Sequence, residues 1–139
     1  SDKLLCITRL EYPGNLGKEL AMMAAQFDFD IQQGASFLLG FVWMDSDEVP
    51  IPLEGYGIRL QMRPYPSSNK VLLDASLVNG LIRLGENPGE YWLEFPAATT
   101  RALNWRKGKY DIELTAPDGF VSRPIEGTIT MIPEVTRDV

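Results

Sequence analysis

The sequence predicts a mainly antiparallel β-sandwich, immunoglobulin-like or jelly-roll-like, carrying one short helix. Three observations predict it. Segments in which apolar and polar residues alternate recur roughly every ten residues, each closed by Gly, Pro, Asn or Asp. Beyond the first 26 residues, only residues 96–103 change period. Finally, residues 108–132 read as a hairpin: Tyr110, Ile112 and Leu114 alternate with Asp111, Glu113 and Thr115. Beyond Pro117-Asp118-Gly119, Ile125, Gly127, Ile129 and Met131 alternate with Glu126, Thr128, Thr130 and Ile132. The Asp-Gly pair tolerates the positive φ of a tight turn, and Pro117 presets the chain entering it.

Taken in order, residues 4–10 (LLCITRL) suit a short strand, with a turn at Tyr12-Pro13-Gly14-Asn15. Leu16, Leu20 and Met23 then recur at helical spacing for a turn or two. Residues 1–26 are accordingly expected to form an N-terminal arm, and 27–139 the sandwich. Phe27, Phe29 and Ile31 alternate with Asp28 and Asp30, an edge-strand pattern ended by Gln33-Gly34. Residues 36–44 (SFLLGFVWM) are apolar throughout, as in a strand covered on both faces, with Gly40 marking a bulge or close packing.

Asp45-Ser46-Asp47-Glu48 is a polar turn, and Pro50 and Pro52 carry the chain extended toward Tyr56. Ile58, Leu60 and Met62 alternate with Arg59, Gln61 and Arg63 in a clean strand, and Pro64 to Asn69 is a surface loop. Residues 71–73 and 81–84 are short apolar pieces about Asn79-Gly80, a second tight-turn signal. Tyr91, Leu93 and Phe95 then alternate with Trp92 and Glu94. Pro96 suits the first turn of the helix that follows, and residues 133–139 read as a last extended piece or a loose end.

Composition excludes several classes of function. A chain of 139 residues, 45% hydrophobic and 23% charged, has the size and balance of one globular domain. Its net charge of −6 disfavours nucleic acid and anionic membrane as partners. With no histidine and a single cysteine, Cys6, the usual zinc sites, His-dependent triads and intramolecular disulfides are ruled out. No run is long and apolar enough for a membrane span or a secretory signal. Ser1-Asp2 fits a cytoplasmic product that has lost its initiator Met.

Several stretches together resemble small structural proteins encoded by tailed bacteriophages. They are Asp30-Ile31-Gln32-Gln33-Gly34-Ala35-Ser36-Phe37 leading to Trp43, and Leu53-Glu54-Gly55-Tyr56 running into Gln61-Met62-Arg63. Tyr110-Asp111-Ile112-Glu113-Leu114 and Arg123-Pro124-Ile125-Glu126-Gly127 to Pro133-Glu134-Val135-Thr136-Arg137 complete the set. The resemblance spans Phe27 to Arg137 and implies a virion component of the tail, baseplate or fibre attachment. It implies no catalytic residue, and residues 1–26 depart from its pattern.

Candidate sites are few. Asp28 with Asp30, and Asp111 with Glu113, read as solvated polar positions rather than a catalytic pair. Asp45, Asp47 and Glu48 lack the spacing of a calcium loop. The aromatic residues read mainly as core. Trp92 alternates with core-facing neighbours and so faces a partner, a second sheet or a sugar. Phe27, Phe29 and Val135 lie on stretches that either add to a neighbour's sheet or pack on their own domain. The expectation is a non-enzymatic virion protein without cofactor or metal. It would be made in the host cytoplasm, form homo-oligomers and bind other virion structural proteins through Trp92, Phe27, Phe29 and Val135. Its rivals are a capsid decoration protein and a carbohydrate-binding module that recognises a host glycan.

Overall fold

A computed structural model describes residues 4–8, 25–45 and 47–136. The chain runs β1 Leu4–Thr8, β2 Ala25–Gln26, β3 Phe29–Gln32, β4 Phe37–Met44, β5 Gly57–Arg63, β6 Leu73–Ser76, β7 Ile82–Leu84, β8 Glu90–Phe95, α1 Ala97–Arg101, β9 Lys107–Thr115 and β10 Val121–Ile132. One sheet has the order β1-β4-β8-β7. The other has the order β2-β10-β9-β5-β6, with β3 also paired to β10. The expected β-sandwich is therefore the observed architecture. The turn expected at 12–15 and the helical turn expected over Leu16, Leu20 and Met23 lie outside the described residues.

Local pattern accounts for most strands. In β9 and β5 the buried residues are the apolar ones of the alternation, Tyr110, Ile112 and Leu114 against Ile58, Leu60 and Met62. The hairpin of β9 and β10 forms as its sequence predicts. Gly119 has φ 91°, Gly119 N–H donates to the Ala116 carbonyl, and the Asp118 carboxylate accepts the Phe120 N–H. The register of β10 on β9 shifts between Ser122 and Ile125, so the ladder is irregular about Pro124, which has no N–H to give. β4 lies inside its sheet and is buried at every residue from Leu39 to Trp43, in line with its continuous apolar run.

Two features depart from the local reading. The strands of the first 32 residues pair parallel, β1 on β4 and both β2 and β3 on β10, whereas the other pairings are antiparallel. Parallel neighbours need long connections, so no turn signal in the sequence marks them. Both described pieces of the 1–26 segment are edge strands of the sandwich itself. The Asn79-Gly80 signal does make a turn, with Gly80 at φ 79°. It is not a hairpin, however, but a corner that carries the chain from β6 in one sheet to β7 in the other.

The core lies between the sheets and includes the fully buried Ile31, Phe41, Leu60, Tyr91, Leu93, Phe95, Ile112, Ile125 and Ile129. Each such side chain contributes about 1.5–3 kcal/mol on leaving water. The Gln33-Gly34-Ala35 turn, which passes the chain from β3 to β4, is tied to α1. Thr100 is fully buried; its hydroxyl accepts the Gly34 N–H at 3.0 Å and lies 2.8 Å from the Ala35 carbonyl it donates to. Gln33 donates to the Leu103 carbonyl at 2.8 Å and accepts the Glu134 N–H. Gly34, at φ 82°, has no room for a side chain beside the Glu134 carboxylate, which pairs with Arg101 at 3.6 Å. Residues far apart in sequence thus close one end of the sandwich.

Candidate protein-interaction site

Five of the six phenylalanines gather on one side of the sandwich. Phe27 stacks on Phe29, Phe29 on Phe37 and Phe37 on Phe95, with ring centroids 5.9, 5.5 and 5.4 Å apart. Phe41 meets Phe27 edge-on, and Tyr110 meets Phe29 edge-on. Such pairs each contribute about 0.5–1.5 kcal/mol beyond their buried area. This ladder crosses from β3 in one sheet to β4 and β8 in the other. Phe95 and Phe41 are fully buried, while Phe27, Phe29 and Phe37 are only half-buried. They line a groove of about 500 Å³ together with Asp28, Asp30, Leu38 and Leu39.

A close backbone approach sets this wall of the groove. Gly127 lies on the inner face of β10, and a Cβ there would stand 2.1 Å from the Phe27 carbonyl oxygen. The missing side chain lets the Phe27 peptide pass over β10, where its carbonyl accepts the buried Tyr110 hydroxyl. The detour separates β2 from β3. It would leave the Thr128 N–H without a ladder partner, and the Asp28 carboxylate accepts it at 2.9 Å. Burial, and to a lesser degree the nearby Asp28 charge, push the Tyr110 hydroxyl pKa up, so it stays a donor.

Two strand edges flank the groove. Phe27 N–H donates to Glu126 and Gln33 N–H to Ile132, so the odd-numbered residues of this segment face β10. By the same alternation the N–H and C=O of Asp30 point away from the sheet. On the opposite wall, β4 bonds to β8 through its odd residues, as Trp43 N–H does to Gly89, and β1 pairs only from Gly40 onward. No described residue pairs with Leu38 on that side. The edge of β6 is different: the Asn79 side-chain amide donates to the Asp74 carbonyl and accepts the Ser76 N–H, which blunts it. β7 offers only three residues.

The other predicted positions fall elsewhere. Trp92 lies half-buried on the outer face of the β1-β4-β8-β7 sheet, as its alternation requires. Its indole N–H donates to Glu90 at 3.2 Å, and the Arg83 guanidinium covers the ring at 5.8 Å from its centroid. Val135 is 91% exposed on the tail, in residues 133–136 that form no strand. The structure therefore brings Phe27 and Phe29 together and leaves Trp92 and Val135 apart from them. Phe37 and Leu38, read from sequence only as part of a covered strand, complete the groove. The signal that could have found them is the clustering of phenylalanine itself.

The carboxylates are largely occupied. Asp45 accepts the N–H groups of Asp47 and Val49 and so builds its own turn. Among the described residues no group of three or more His, Cys, Asp or Glu could hold a metal ion. The outer face of the β10-β9-β5 region holds a polar concavity of about 480 Å³ lined by charges of both signs. Arg123 meets Glu113 at 2.8 Å and Asp111 at 3.8 Å, while Arg63 donates to the Ser68 carbonyl and Gln61. Burial raises the Asp111 pKa, with Arg123 opposing it. The bidentate hydrogen bond from Arg59 lowers that of Asp74.

No protein-family model matches the sequence, and no curated protein matches it. Solved structures similar to it in shape include the following two. The N-terminal domain of phage TP901-1 ORF48 is 10% identical, with a TM-score of 0.48 over 96% of this chain and 99% of that one. A chicken T-cell receptor is 11% identical, with a TM-score of 0.44 over 81% of this chain and 57% of that one.

Proposed function

We propose that this chain is a non-enzymatic structural component of a bacteriophage particle. It would be a tail, baseplate or fibre-attachment adaptor that binds other virion proteins and further copies of itself. One observation carries the reading as an interaction module: the groove floored by Phe27, Phe29 and Phe37 lies between two strand edges, while the edge of β6 is capped. A sandwich that blunts one edge and leaves apolar rings between two others is built to receive another chain. The order of the sequence motifs from Phe27 to Arg137 supports the phage setting, and their Gln-Gly-Ala turn lies beside this groove, bonded to Thr100. Trp92, through the opposite face, and Val135, on the tail, are the further interface positions.

Immunogold electron microscopy of the intact virus, with antibody against this chain, tests the role. Label at the tail tip, baseplate or neck is the expected result. Label spread over the head would replace the adaptor with a decoration protein. A particle without label, with the epitope shown to be accessible, would overturn a virion role altogether.

A further inference from the structure

The chemistry of the groove specifies what would fill it. Among the described residues its only charged lining groups are Asp28 and Asp30, both exposed. A strand added beside β3 continues the sheet, so its side chains alternate as those of β3 do. Every second one would enter the groove over Phe27, Phe29 and Phe37. The intervening ones would lie on the outer face beside Asp28 and Asp30. We propose that the groove is a β-augmentation site for an extended segment of another protein in which apolar residues alternate with Lys or Arg.

A second copy of this chain fits the site poorly. Among the described residues, Ile58-Arg59-Leu60 and Lys107-Gly108-Lys109 belong to β5 and β9, which have neighbours on both sides, while Ile82-Arg83-Leu84 of the edge strand β7 is only three residues long and its Arg83 is held by Glu94 and Trp92. The occupant is a basic partner, and the site is specific because pattern and charge must both match. This inference rests on the groove being the docking surface of the proposed adaptor.

The test uses the whole chain and three short fluorescent peptides: alternating Val-Lys, alternating Val-Glu, and a shuffled Val-Val-Lys-Lys sequence. Anisotropy titration should show saturable binding of the Val-Lys peptide and binding about tenfold weaker for the Val-Glu peptide, as two like-charge cross-strand contacts imply. The gap should close in about 0.5 M NaCl. The shuffled peptide should not bind. Asp30→Asn, which removes only that charge, should narrow the gap to about threefold, the share left by Asp28. Asp30→Pro, which removes the outward N–H at an edge position that tolerates proline, should abolish binding with the fold intact by circular dichroism.

Equal binding of Val-Lys and Val-Glu peptides, or binding that survives Asp30→Pro, overturns the proposal. So does self-association in sedimentation equilibrium that Asp30→Pro abolishes, because the occupant is then a second copy. The outcome separates from that of the microscopy. A labelled particle with no peptide binding removes this site and leaves the adaptor, whereas peptide binding with an unlabelled particle does the reverse.

Discussion

Gly127→Ala probes the approach that shapes the groove. A Cβ at residue 127 would lie 2.1 Å from the Phe27 oxygen, 2.7 Å from its carbon and 2.8 Å from Asp28 Oδ1. Two of these contacts are with backbone, so no rotamer change relieves them. The Phe27 peptide must retreat by more than an ångström to reach ordinary contact. That movement breaks the Tyr110 hydroxyl bond to Phe27 and strains the Phe27 N–H bond to Glu126 and the Thr128 N–H bond to Asp28. Leaving the buried Tyr110 hydroxyl unsatisfied costs about 1–3 kcal/mol, and each weakened bond about 0.5–1.5 kcal/mol. Alanine returns about 0.4–1 kcal/mol by restricting the unfolded chain.

The net expectation is a loss of about 3 kcal/mol, which for a domain of this size lowers Tm by roughly 10 °C. Thermal and urea melts followed by circular dichroism measure it. Tyr110→Phe supplies the control, because it removes the hydroxyl alone and should cost about 1 kcal/mol. The double variant should cost less than the two singles together, since the bond is lost only once. If Gly127→Ala melts with the wild type, the β3 edge moves freely and the close approach does not hold the groove wall in place.

Three further outcomes follow from the same geometry. Thr100→Val keeps the shape of a fully buried side chain but deprives the Gly34 N–H of its acceptor; a loss of about 2 kcal/mol, read as a lower urea midpoint at unchanged m, is expected. Asp111 has its folded-state pKa raised above the unfolded one, so its charge disfavours the folded state above the carboxylate range and ceases to matter below it. Asp111→Asn should therefore raise Tm at neutral pH and lose that advantage as pH falls below about 4. The gain should be small because this carboxyl is 46% exposed and paired to Arg123. Trp92→Ala should weaken self-association in sedimentation while leaving Tm nearly unchanged. A variant that melts several degrees lower yet associates normally would return Trp92 to a purely structural role.

Much of the candidate site was legible before folding, but not its shape. Phe27 and Phe29 declare an inward face by alternating with Asp28 and Asp30, and that face is where their rings lie. Nothing local says that the rings will meet Phe37 and Phe95 of the other sheet, because those contacts depend on how the chain crosses between sheets. Gly127, a glycine within a strand pattern, announces a close approach without naming what approaches. Thr100 carries no signal at all: on a five-residue helix it reads as any helical threonine, bonding back to the Ala97 carbonyl, and its other two partners lie more than sixty residues away.

By itself the sequence determined which face of β3, β5, β8, β9 and β10 is buried, where the β9–β10 hairpin turns, and that one short helix follows Pro96. These depend on the period of side chains and on φ preferences, which neighbours in the chain dictate. Only the tertiary structure decided that β1, β2 and β3 lie parallel to their partners, that Asn79 caps one edge while Asp30 faces outward at another, and that five phenylalanines form one ladder. Those outcomes depend on which strands become neighbours across long connections. That choice is made by packing the whole apolar surface at once, and no local pattern encodes it.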